Sequence, residues 1–465
     1  MEATYVIVGG GIAGMSCVEQ IAIFDPDAKV ILVSASPLIK TVTRITPLTK
    51  MLVEFSVEEK PYQDLSSIYP SLSIIIDTAV NINSSDHILT TASGTKIKYQ
   101  KLCLCSGASP KIITNRNEFV IGIRDTDSAT VLQNKVKTAR RVVVVGNGGI
   151  ATELIHEIQG VDIIWAVKDK HISAAFVDPG AAEFFQHRLL KKGEEEETTT
   201  IKTLKYTADF NKNTDKLGAA LGPHWHDNIS LTNADRNTSN ITVEYAVEVK
   251  SVVAKDNDEW PVFVELTNGK TYGCDFIVSA TGVIPNSETI TVEDGNFEIA
   301  DDKGIKVNSK METNIKDIYA AGDICTASWD PAFHWLQMRL WTQARQMGAY
   351  SGKCMVDAVA GEETTQDFCF EMFTHVTRFF GYKVILLGLF NGQKLGTDYE
   401  IMLRVTKAKE FIKLVIRQGK LQGAILIGDT DLEEMCENLI LNQLDVSHLG
   451  EDLLNPDVDV DDYFD

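Results

Sequence analysis

Two glycine-rich runs in the chain have the spacing that binds dinucleotides. The first, Gly9-Gly-Gly11-Ile-Ala-Gly14, directly follows the apolar run Tyr5–Val8. In such a run the first glycine permits a tight turn, the second lets the backbone approach a pyrophosphate, and the third allows close packing of helix and strand. The phosphates rest on the N-terminus of the helix that begins there. The residues predicted to hold the first nucleotide are Gly9, Gly11, Ile12, Ala13 and Gly14.

The second run repeats this spacing in the middle of the chain. It reads Gly146-Asn-Gly148-Gly-Ile-Ala151, with alanine at the last small position, and four valines precede it. A continuous β-branched stretch indicates a strand that is buried on both faces of a parallel sheet. The residues predicted to hold a second nucleotide are Gly146, Asn147, Gly148, Gly149 and Ile150.

A third run, Tyr319-Ala-Ala-Gly322-Asp323, ends in an acid. Together with the two glycine runs it resembles the pyridine nucleotide–disulphide oxidoreductases, a family of flavoproteins with two dinucleotide folds. The resemblance implies FAD on the first run, NADH or NADPH as the hydride donor on the second, and a hydrogen bond between Asp323 and the ribityl chain of FAD. It implies further cofactor contacts at Ser34, Val80, Ser106, Gly107, Lys168, Ala280, Thr281, Gly282, Gly322, Trp341 and Thr342.

Two of these positions depart from the pattern of the family. Ser34 ends the predicted strand Lys29–Ser34, where relatives usually place an acid for the adenosine ribose. A serine cannot accept hydrogen bonds bidentately as an acid does. Lys168 follows the predicted strand Ile163–Val167, where an acid favours NAD and a cation tolerates the 2′-phosphate of NADP. A solvated lysine at a strand end explains Lys168 equally well, so the sequence leaves NADH and NADPH both open.

The resemblance also implies which side chains stand near the reacting rings. Glu153 matches a family glutamate that approaches the nicotinamide, and the usual partner of that glutamate is a lysine near flavin N5. Lys40 is our candidate for this lysine and Lys50 is the alternative. We therefore predict Lys40 and Glu153 as the catalytic residues. The resemblance also implies that the helix that begins near Trp341 and Thr342 directs its positive end toward the flavin pyrimidine ring.

These runs imply an α/β fold with two Rossmann-like domains, in which the nicotinamide domain interrupts the FAD domain. A third domain of α+β type follows, with four predicted strands and one amphipathic helix at Asp431–Leu444. The predicted boundaries are 1–115 and 286–355 for the FAD domain, 116–285 for the NAD(P)H domain with a polar insertion at about 190–240, 360–450 for the third domain, and 451–465 for an acidic tail.

The cysteines argue against disulphide chemistry. A disulphide reductase needs two thiols close to the flavin, and the stretch Ser34–Lys50 contains no cysteine. Cys103 and Cys105 alternate along a predicted strand, so we expect their side chains to face opposite ways and not to bond to each other. The chemistry that remains is hydride transfer from the nicotinamide to FAD, with electrons released to an acceptor of which oxygen is the simplest.

Composition and charge exclude several kinds of ligand. The net charge of −21 argues against direct binding of nucleic acid, because phosphate binding needs clustered lysine and arginine. No run of the sequence approaches the roughly 18 apolar residues of a membrane span. His224 and His226 stand two residues apart with no further ligands nearby, so we predict no metal site.

A closer resemblance covers essentially the whole chain. The stretches Leu102–Ala108, Gly122–Ala129, Gly146–Ala151, Met338–Gly348 and Gly450–Asp465 are similar to the family named pyridine nucleotide–disulphide oxidoreductase domain-containing protein 1. This resemblance implies a cytoplasmic and nuclear FAD enzyme that oxidises NAD(P)H without redox-active cysteines. It also implies protection of a metal- and cysteine-dependent tRNA ligase from oxidative inactivation.

Two functions of different class are compatible with these features. In the first the protein is an NAD(P)H oxidase, and in the second it is a binding protein whose flavin and nicotinamide state controls the docking of a partner. The predicted docking segment for the ligase is the acidic tail Glu451–Asp465, in which Leu453-Leu454, Pro456 and Tyr463-Phe464 provide apolar anchors.

Overall fold

The computed structural model describes residues 1–65, 67–114, 117–190, 225–226, 229–236, 240–255 and 259–455. Most of the predicted insertion at 190–240 and the end of the predicted tail therefore lie outside the described residues. None of the described helices combines the length and the apolar character that crossing a bilayer requires.

The first domain begins with an alternation of strands and helices around the first glycine run. The stretch Ser34–Lys50, for which the sequence suggested no element, contains one strand of a long antiparallel hairpin, β3–β4. The elements are β1 (Glu2–Val8), α1 (Ile12–Phe24), β2 (Val30–Ser34), β3 (Leu38–Pro47), β4 (Val53–Pro61), α2 (Tyr62–Leu65), β5 (Leu72–Ile76), β6 (Ala79–Asn83), β7 (Ile88–Thr91), β8 (Lys96–Leu104) and β9 (Ala108–Pro110).

The second domain contains a five-stranded parallel sheet and a three-stranded antiparallel one. The parallel sheet has the order β10-β17-β11-β12-β13, and the other has the order β14-β15-β16. The elements are β10 (Val120–Gly122), α3 (Thr126–Val136), β11 (Arg141–Val145), α4 (Gly149–Glu157), β12 (Asp162–Ala166), α5 (Pro179–Leu190), β13 (Ile241–Glu244), β14 (Val249–Ala254), β15 (Val262–Leu266), β16 (Thr271–Cys274), β17 (Phe276–Ser279) and β18 (Val283–Pro285).

The chain then returns to the first domain with β19 (Thr291–Val292), β20 (Ile305–Val307), β21 (Ile318–Ala320), β22 (Cys325–Ala327) and α6 (Trp341–Ala360). The completed sheet has the order β19-β6-β7-β8-β1-β2-β5, with β21 beside β8. Helices α1 and α6 cross closely over this sheet. A Cβ on Gly348 would lie 2.1 Å from the backbone oxygen of Ala13, and one on Gly352 would lie 2.7 Å from that of Cys17. Glycine is therefore what permits this crossing.

The third domain is a five-stranded antiparallel sheet of order β23-β24-β27-β26-β25 with a helix packed on it. Its elements are β23 (Thr374–Phe379), β24 (Tyr382–Gly388), β25 (Glu400–Thr406), β26 (Glu410–Arg417), β27 (Lys420–Ile427) and α7 (Glu433–Asn442). Aromatic side chains of this domain, among them Phe379 and Phe411, share one core with Phe176 and Phe184 of the second domain. The two domains therefore pack together next to the second glycine run.

The segment predicted as an acidic tail starts later than residue 451. Glu451 to Leu454 belong to a 3₁₀ helix, Gly450–Leu454. Leu453 and Leu454 are buried in the core of the third domain, and the Leu454 backbone oxygen accepts a hydrogen bond of 2.7 Å from Arg404 Nη1. These two leucines are therefore unavailable as docking anchors, and residues 456–465 lie outside the described residues.

Candidate active site

A cavity of about 690 Å³ opens between the two glycine runs, and all three domains contribute to its wall. The residues predicted from the sequence that line it are Gly9, Gly11, Ile12, Ala13, Ser34, Ser106, Gly107, Gly148, Gly149, Ile150, Glu153, Ala280, Gly282, Asp323 and Trp341. Within the described ranges, the predicted residues that do not line it are Gly14, Lys40, Val80, Gly146, Asn147, Lys168, Thr281, Gly322 and Thr342. One space therefore joins the two predicted nucleotide sites.

The first glycine of each run makes the same turn in both domains. Gly9 has a φ of 114° and Gly146 a φ of 135°, a region that favours glycine. A Cβ at Gly9 would lie 2.3 Å from the backbone oxygen of Cys105, and one at Gly146 would lie 2.0 Å from that of Ala280. The backbone that follows β8 and the backbone that follows β17 thus pack closely against the two glycine turns. This repetition is what the spacing of the glycines predicts.

Helices α1 and α4 begin at these turns with no side chain over their first N–H groups. Their N-cap residues are Gly11 and Gly148, and neither helix has a side-chain cap hydrogen bond. Unbonded N–H groups at a helix N-terminus are suited to a phosphate. A Cβ on Gly148 would meet nothing within 4 Å, whereas one on Gly14 would lie 1.9 Å from the backbone oxygen of Gly9. Gly148 therefore faces the cavity, while Gly14 serves packing.

Asp323 offers an unused acceptor to the cavity. Gly322, with a φ of 80°, turns the chain at the end of β21 so that Asp323 lines the wall. Burial raises the pKa of the Asp323 carboxyl group, and the charge of Arg339 opposes that shift. No described residue donates a hydrogen bond to this carboxylate, and the hydroxyl of Ser106, another residue of the cavity wall, is buried without a partner. Both groups fit the hydroxyl groups of a ribityl chain.

The two residues predicted to contact the adenosine, Ser34 and Val80, are occupied by contacts within the protein. The Ser34 hydroxyl donates to the backbone oxygen of Ser36 at 2.8 Å and accepts from its N–H at 3.2 Å, so it holds a turn of the chain. Val80 lies at an irregularity of β6, and its backbone oxygen accepts a hydrogen bond of 3.1 Å from Thr291 Oγ1. The neighbouring segment 77–79 lines the cavity in its place.

Lys40 forms an ion pair with Glu59, and this was not predicted. The Nζ–Oε1 distance is 2.6 Å, and both side chains are buried. The two residues stand opposite each other on β3 and β4, and Thr126 Oγ1 also donates to Glu59. Burial lowers the pKa of the Lys40 ammonium, while Glu59 raises it. In this structure Lys40 therefore pairs with Glu59 of the hairpin, and its predicted pairing with Glu153 does not occur. Lys50, the alternative, lines a separate pocket of about 200 Å³.

Glu153 lines the cavity from helix α4, which begins at the second glycine run, and has a partner that sequence reasoning missed. Trp225 Nε1 donates to Glu153 Oε2 at 2.9 Å, and both side chains are buried. Trp225 comes from the segment predicted as a polar insertion. A single tryptophan in an otherwise polar sequence was the feature that could have indicated a buried contact there. Both residues line the cavity together with Phe176 and Phe379.

The third domain contributes His375 to the cavity wall, where its ring centroid lies 6.1 Å from that of Phe176. Thr342 Oγ1 lies 3.1 Å from His375 Nδ1, and the rings of Trp341 and His375 are 5.4 Å apart. Burial lowers the pKa of His375 to about 3, so the ring is neutral at physiological pH. Thr342 therefore holds the third domain against the start of α6 and does not line the cavity.

The predicted role of Lys168 does not agree with the strand register. In the first domain, the first glycine of the run donates its N–H to the residue before Ser34. In the second domain, the first glycine donates its N–H to the residue before Val167. Val167 is thus the counterpart of Ser34, and it is buried. Lys168 lies one residue further on. Its side chain is 75% exposed, and its Nζ lies 3.7 Å from Glu248, so it is a surface residue beside the nucleotide site.

Asn147 and Thr281 hold neighbouring loops in place through hydrogen bonds. Asn147 Nδ2 donates to Asp169 Oδ2 at 2.8 Å, and Asn147 Oδ1 accepts from the Ser173 N–H at 2.5 Å. This amide therefore holds the loop after β12. Thr281 Oγ1 donates to the backbone oxygen of Lys111 at 3.0 Å, which fixes the chain that leaves β17. Both residues shape the nucleotide site from behind its wall.

The two cysteines at the end of β8 lie together. Cys103 Sγ is 3.5 Å from Cys105 Sγ, which contradicts our expectation that they face opposite ways. Residues two apart in a strand project from the same face, and the expectation misapplied that period. Both thiols are buried, and Cys105 lines the cavity. No group of three or more metal-ligating side chains occurs among the described residues, which do not include His224.

Comparison with known proteins identifies the family. The sequence pattern of the pyridine nucleotide-disulphide oxidoreductases matches residues 3–348. The chain belongs to this family. The pattern described as the rubredoxin NAD+ reductase C-terminal domain matches residues 376–444. The protein named pyridine nucleotide-disulfide oxidoreductase domain-containing protein 1 in Rattus norvegicus is 48% identical over 491 residues, which cover 99% of this chain and 98% of that protein. Its namesake in Drosophila melanogaster is 48% identical over 480 residues, 100% and 99% of the two chains.

Solved structures of the same fold are more distant in sequence. The putidaredoxin reductase–putidaredoxin covalent complex has a TM-score of 0.68 at 14% identity, with 98% of this chain and 96% of that chain covered. An engineered water-forming NADPH oxidase bound to NADPH has a TM-score of 0.68 at 17% identity, with 97% and 92% covered. These likenesses concern the fold. Family membership confirms the predicted α/β fold class and the predicted cofactors, FAD and NADH or NADPH. The protein is an FAD- and NAD(P)H-dependent oxidoreductase.

Proposed function

We propose that the protein oxidises NADH or NADPH and passes the electrons to an acceptor other than a disulphide, with oxygen as the simplest one. The observation that carries this proposal is the single cavity that joins both glycine runs and holds Asp323 and Glu153 in its wall. When bound there, the nicotinamide supplies a hydride and FAD supplies an electron carrier. The protein binds and orients the two nucleotides.

The residues at the nicotinamide end exclude water and fix one side chain. Trp225, Phe176 and Phe379 surround the space beside Glu153 with apolar surface. Because Trp225 Nε1 donates to Glu153 Oε2 at 2.9 Å, the carboxylate has a set orientation toward the cavity. A fixed acceptor in an apolar site can orient a ring amide without costing reorganisation at the moment of reaction. Glu153 is in our proposal a positioning residue for the nicotinamide.

External disulphides are poor substrates for this arrangement. Cys103 and Cys105 are both buried, and the hairpin β3–β4 that follows the second strand contains no cysteine. Reduction of a glutathione or lipoamide disulphide needs two thiols that the substrate can reach, and Cys105 lines the cavity whereas Cys103 does not. The proposal that the enzyme is not a disulphide reductase therefore rests on the hairpin without cysteine and on the buried position of Cys103.

The test is an absorbance spectrum of the purified protein under nitrogen. We expect the bands of oxidised FAD, their loss on addition of NADH or NADPH, and their return when air is admitted. Reduction of glutathione or lipoamide should be negligible in the same preparation. A colourless protein that takes up no added FAD would contradict the proposal, and a substantial disulphide reductase rate would contradict its second part.

We further propose, from the resemblance, that this activity protects the tRNA ligase from oxidative inactivation in the cytoplasm and nucleus. The acidic residues after Asn455 would provide the contact with the ligase. The alternative, in which nucleotide state gates docking, is supported by the position of His375 and Phe379. These two side chains line the cavity and belong to the domain that precedes the acidic segment in the sequence. Slow turnover with ligase binding only in the presence of NAD(P)H would favour this alternative.

A further inference from the structure

One lysine of the third domain has its charge buried at the contact with the second domain. Lys413 lies on β26, and only 1% of it is exposed to solvent. Its Nζ lies 2.7 Å from Asp178 Oδ2 and 2.9 Å from Asn391 Oδ1. Burying an ammonium group costs free energy unless acceptors surround it, and these two oxygens fill that need. The chemistry proposed above makes no use of this lysine.

Both acceptors of Lys413 are attached to one loop of the second domain. This loop, residues 167–178, joins β12 to α5, and Asp178 is its last residue. Asn391 lies in the third domain, and its Nδ2 donates to the backbone oxygen of Phe176 at 3.3 Å. A single ammonium group therefore restrains the loop at two points that are two residues apart.

The same loop is also tied to the second glycine run and to the helix that follows it. Asn147 Oδ1 accepts a hydrogen bond of 2.5 Å from the Ser173 N–H, and Thr152 Oγ1 lies 2.8 Å from Ser173 Oγ. Ser173 is completely buried. The loop is thus held on one side by the glycine run and on the other by the third domain, and Phe176 lies between these attachments in the sequence.

Phe176 lies against the first turn of α4. A Cβ on Gly149 would lie 3.6 Å from Phe176 Cε2, whereas one on Gly148 would meet nothing within 4 Å. The Phe176 ring packs on Phe379 with ring centroids 5.2 Å apart, and both side chains line the cavity. Phe176 therefore forms an apolar wall beside the open N-terminus of α4 at the second nucleotide site.

We propose that Lys413 is a positioning residue for the nicotinamide nucleotide. By holding Asp178 and Asn391, it fixes Phe176 as a preformed wall of the second nucleotide site, although Lys413 itself does not line the cavity. A wall that is already ordered removes the free-energy cost of ordering it when the nucleotide binds. The third domain thereby sets the affinity for the nucleotide across a domain contact. This role rests on the oxidation of NADH or NADPH proposed above.

The test titrates the full-length, FAD-loaded protein with NAD+ and NADP+ in a calorimeter. Lys413→Met should weaken binding of the nucleotide that the wild type prefers by roughly three- to tenfold, the range for ordering one side chain on binding. The dissociation constant of FAD should not change, because the first glycine run lies in another domain. In flavin reduction under nitrogen, the half-saturating concentration of the reduced nucleotide should rise while the limiting rate stays the same.

Three further variants distinguish positioning from a general loss of stability. Phe176→Ala should weaken nucleotide binding, and adding Lys413→Met to it should have no further effect, because the lysine acts through that ring. Lys383→Met breaks an ion pair of 3.0 Å with Glu433 inside the third domain, and it should lower stability without changing nucleotide affinity. Asn391→Ala keeps the Lys413 ion pair but removes the bond to the loop, so it decides the matter if Lys413→Met does not fold.

Several results would overturn the proposal. One is a fall in the free energy of unfolding of Lys413→Met with no change in its nucleotide dissociation constant. Others are an equal loss of affinity in Lys383→Met, or a full effect of Lys413→Met in the Phe176→Ala background. Because NAD+ and NADP+ cannot donate a hydride, these titrations do not depend on turnover. A wild type that binds either nucleotide but is not reduced by NADH or NADPH would contradict the proposed oxidation alone, and one that binds neither would contradict both.

Discussion

The ammonium of Lys40 lies 2.6 Å from the carboxylate of Glu59, directly across the hairpin β3–β4. The pair stands behind the first glycine run, since the Lys40 N–H donates to the backbone oxygen of Gly10 at 3.0 Å. Thr126 of α3 also donates to Glu59, so the pair ties the hairpin to the second domain. A residue predicted to be catalytic therefore holds two domains together beside the cavity.

This pair predicts a strong difference between single and double substitutions. Glu59→Leu leaves a buried ammonium without its counter-charge and should lower the free energy of unfolding by about 3–5 kcal/mol. Combining it with Lys40→Met should recover much of that loss, because two apolar side chains can replace a buried ion pair. Urea unfolding of the FAD-loaded protein measures both effects.

The matched control is another cross-strand lysine–glutamate pair, on the surface. Lys250 Nζ lies 2.7 Å from Glu265 Oε1, with the lysine side chain 62% exposed. Glu265→Leu should change stability little, because exposed pairs are solvated and screened. If Glu59→Leu and Glu265→Leu lowered the free energy of unfolding equally, burial of the Lys40 pair would make no difference to stability.

The carboxylate of Asp323 should contribute to the affinity for FAD. Asp323→Ala removes an acceptor that no described residue uses and should weaken FAD binding by about 1.5–3 kcal/mol, the range for a charged hydrogen bond. That is roughly ten- to a hundredfold in dissociation constant. Asp323→Asn keeps one acceptor oxygen and should lie between the two. Titration of the apoprotein with FAD, followed by flavin fluorescence, gives the three constants, and equal values for all three would remove Asp323 from the site.

The parts of the site that were predictable are local in sequence. The turns at Gly9 and Gly146 follow from spacing within a few residues, because φ values of 114° and 135° favour glycine whatever the rest of the fold does. The pairing of Lys40 with Glu59 and of Glu153 with Trp225 depends on how a hairpin and an insertion fold back. No rule of residue spacing predicts such contacts. The prediction therefore relied on the family pattern at places where this chain differs from the family.

Two other errors have simple physical origins. Cys103 and Cys105 were assigned to opposite faces although a strand has a period of two residues. Leu453 and Leu454 were assigned to the acidic tail as docking anchors because acids surround them, yet an apolar pair can pack on a neighbouring core whatever residues flank it. The sequence did not indicate a role for His375. A single histidine in a β-strand is most often a structural residue, and only its neighbours in the fold distinguish the two cases.

His375 predicts a loss of stability in acid. Its pKa is lowered by burial to about 3, below the ordinary value of about 6.5, so the unfolded chain binds this proton more readily than the folded protein. Stability should therefore fall as the pH decreases from about 6.5 toward 3, by up to about 1.4 kcal/mol per pH unit from this group. His375→Gln should flatten that part of the profile in urea unfolding, whereas His156→Gln, at a side chain 37% exposed, should not.

A substitution at Gly148 should affect the nicotinamide nucleotide site and leave the FAD site unchanged. Its missing Cβ faces open space at the N-terminus of α4, so the side chain in Gly148→Val would occupy the path of the pyrophosphate. We expect FAD to remain bound and reduction by NADH or NADPH under nitrogen to slow by at least tenfold. Gly148→Ala adds a single methyl group and should slow it less. Stopped-flow loss of flavin absorbance distinguishes these outcomes, and normal kinetics in the valine variant would place the nicotinamide nucleotide elsewhere.

The acidic segment after Asn455 predicts salt-dependent binding of the tRNA ligase. The truncation must begin at residue 456, because Leu453 and Leu454 are part of the core and their removal would unfold the third domain. Deleting residues 456–465 should leave the flavin spectrum and NAD(P)H oxidation unchanged and weaken ligase binding, most strongly at low salt where charge steering is least screened. Replacing the aspartates of this segment by asparagine should remove the salt dependence, while Tyr463→Ala with Phe464→Ala should weaken binding equally at all salt concentrations. Affinity measured at saturating NADH separates the two contributions. Equal affinities for the truncated and full-length proteins at matched salt would exclude this segment as the contact.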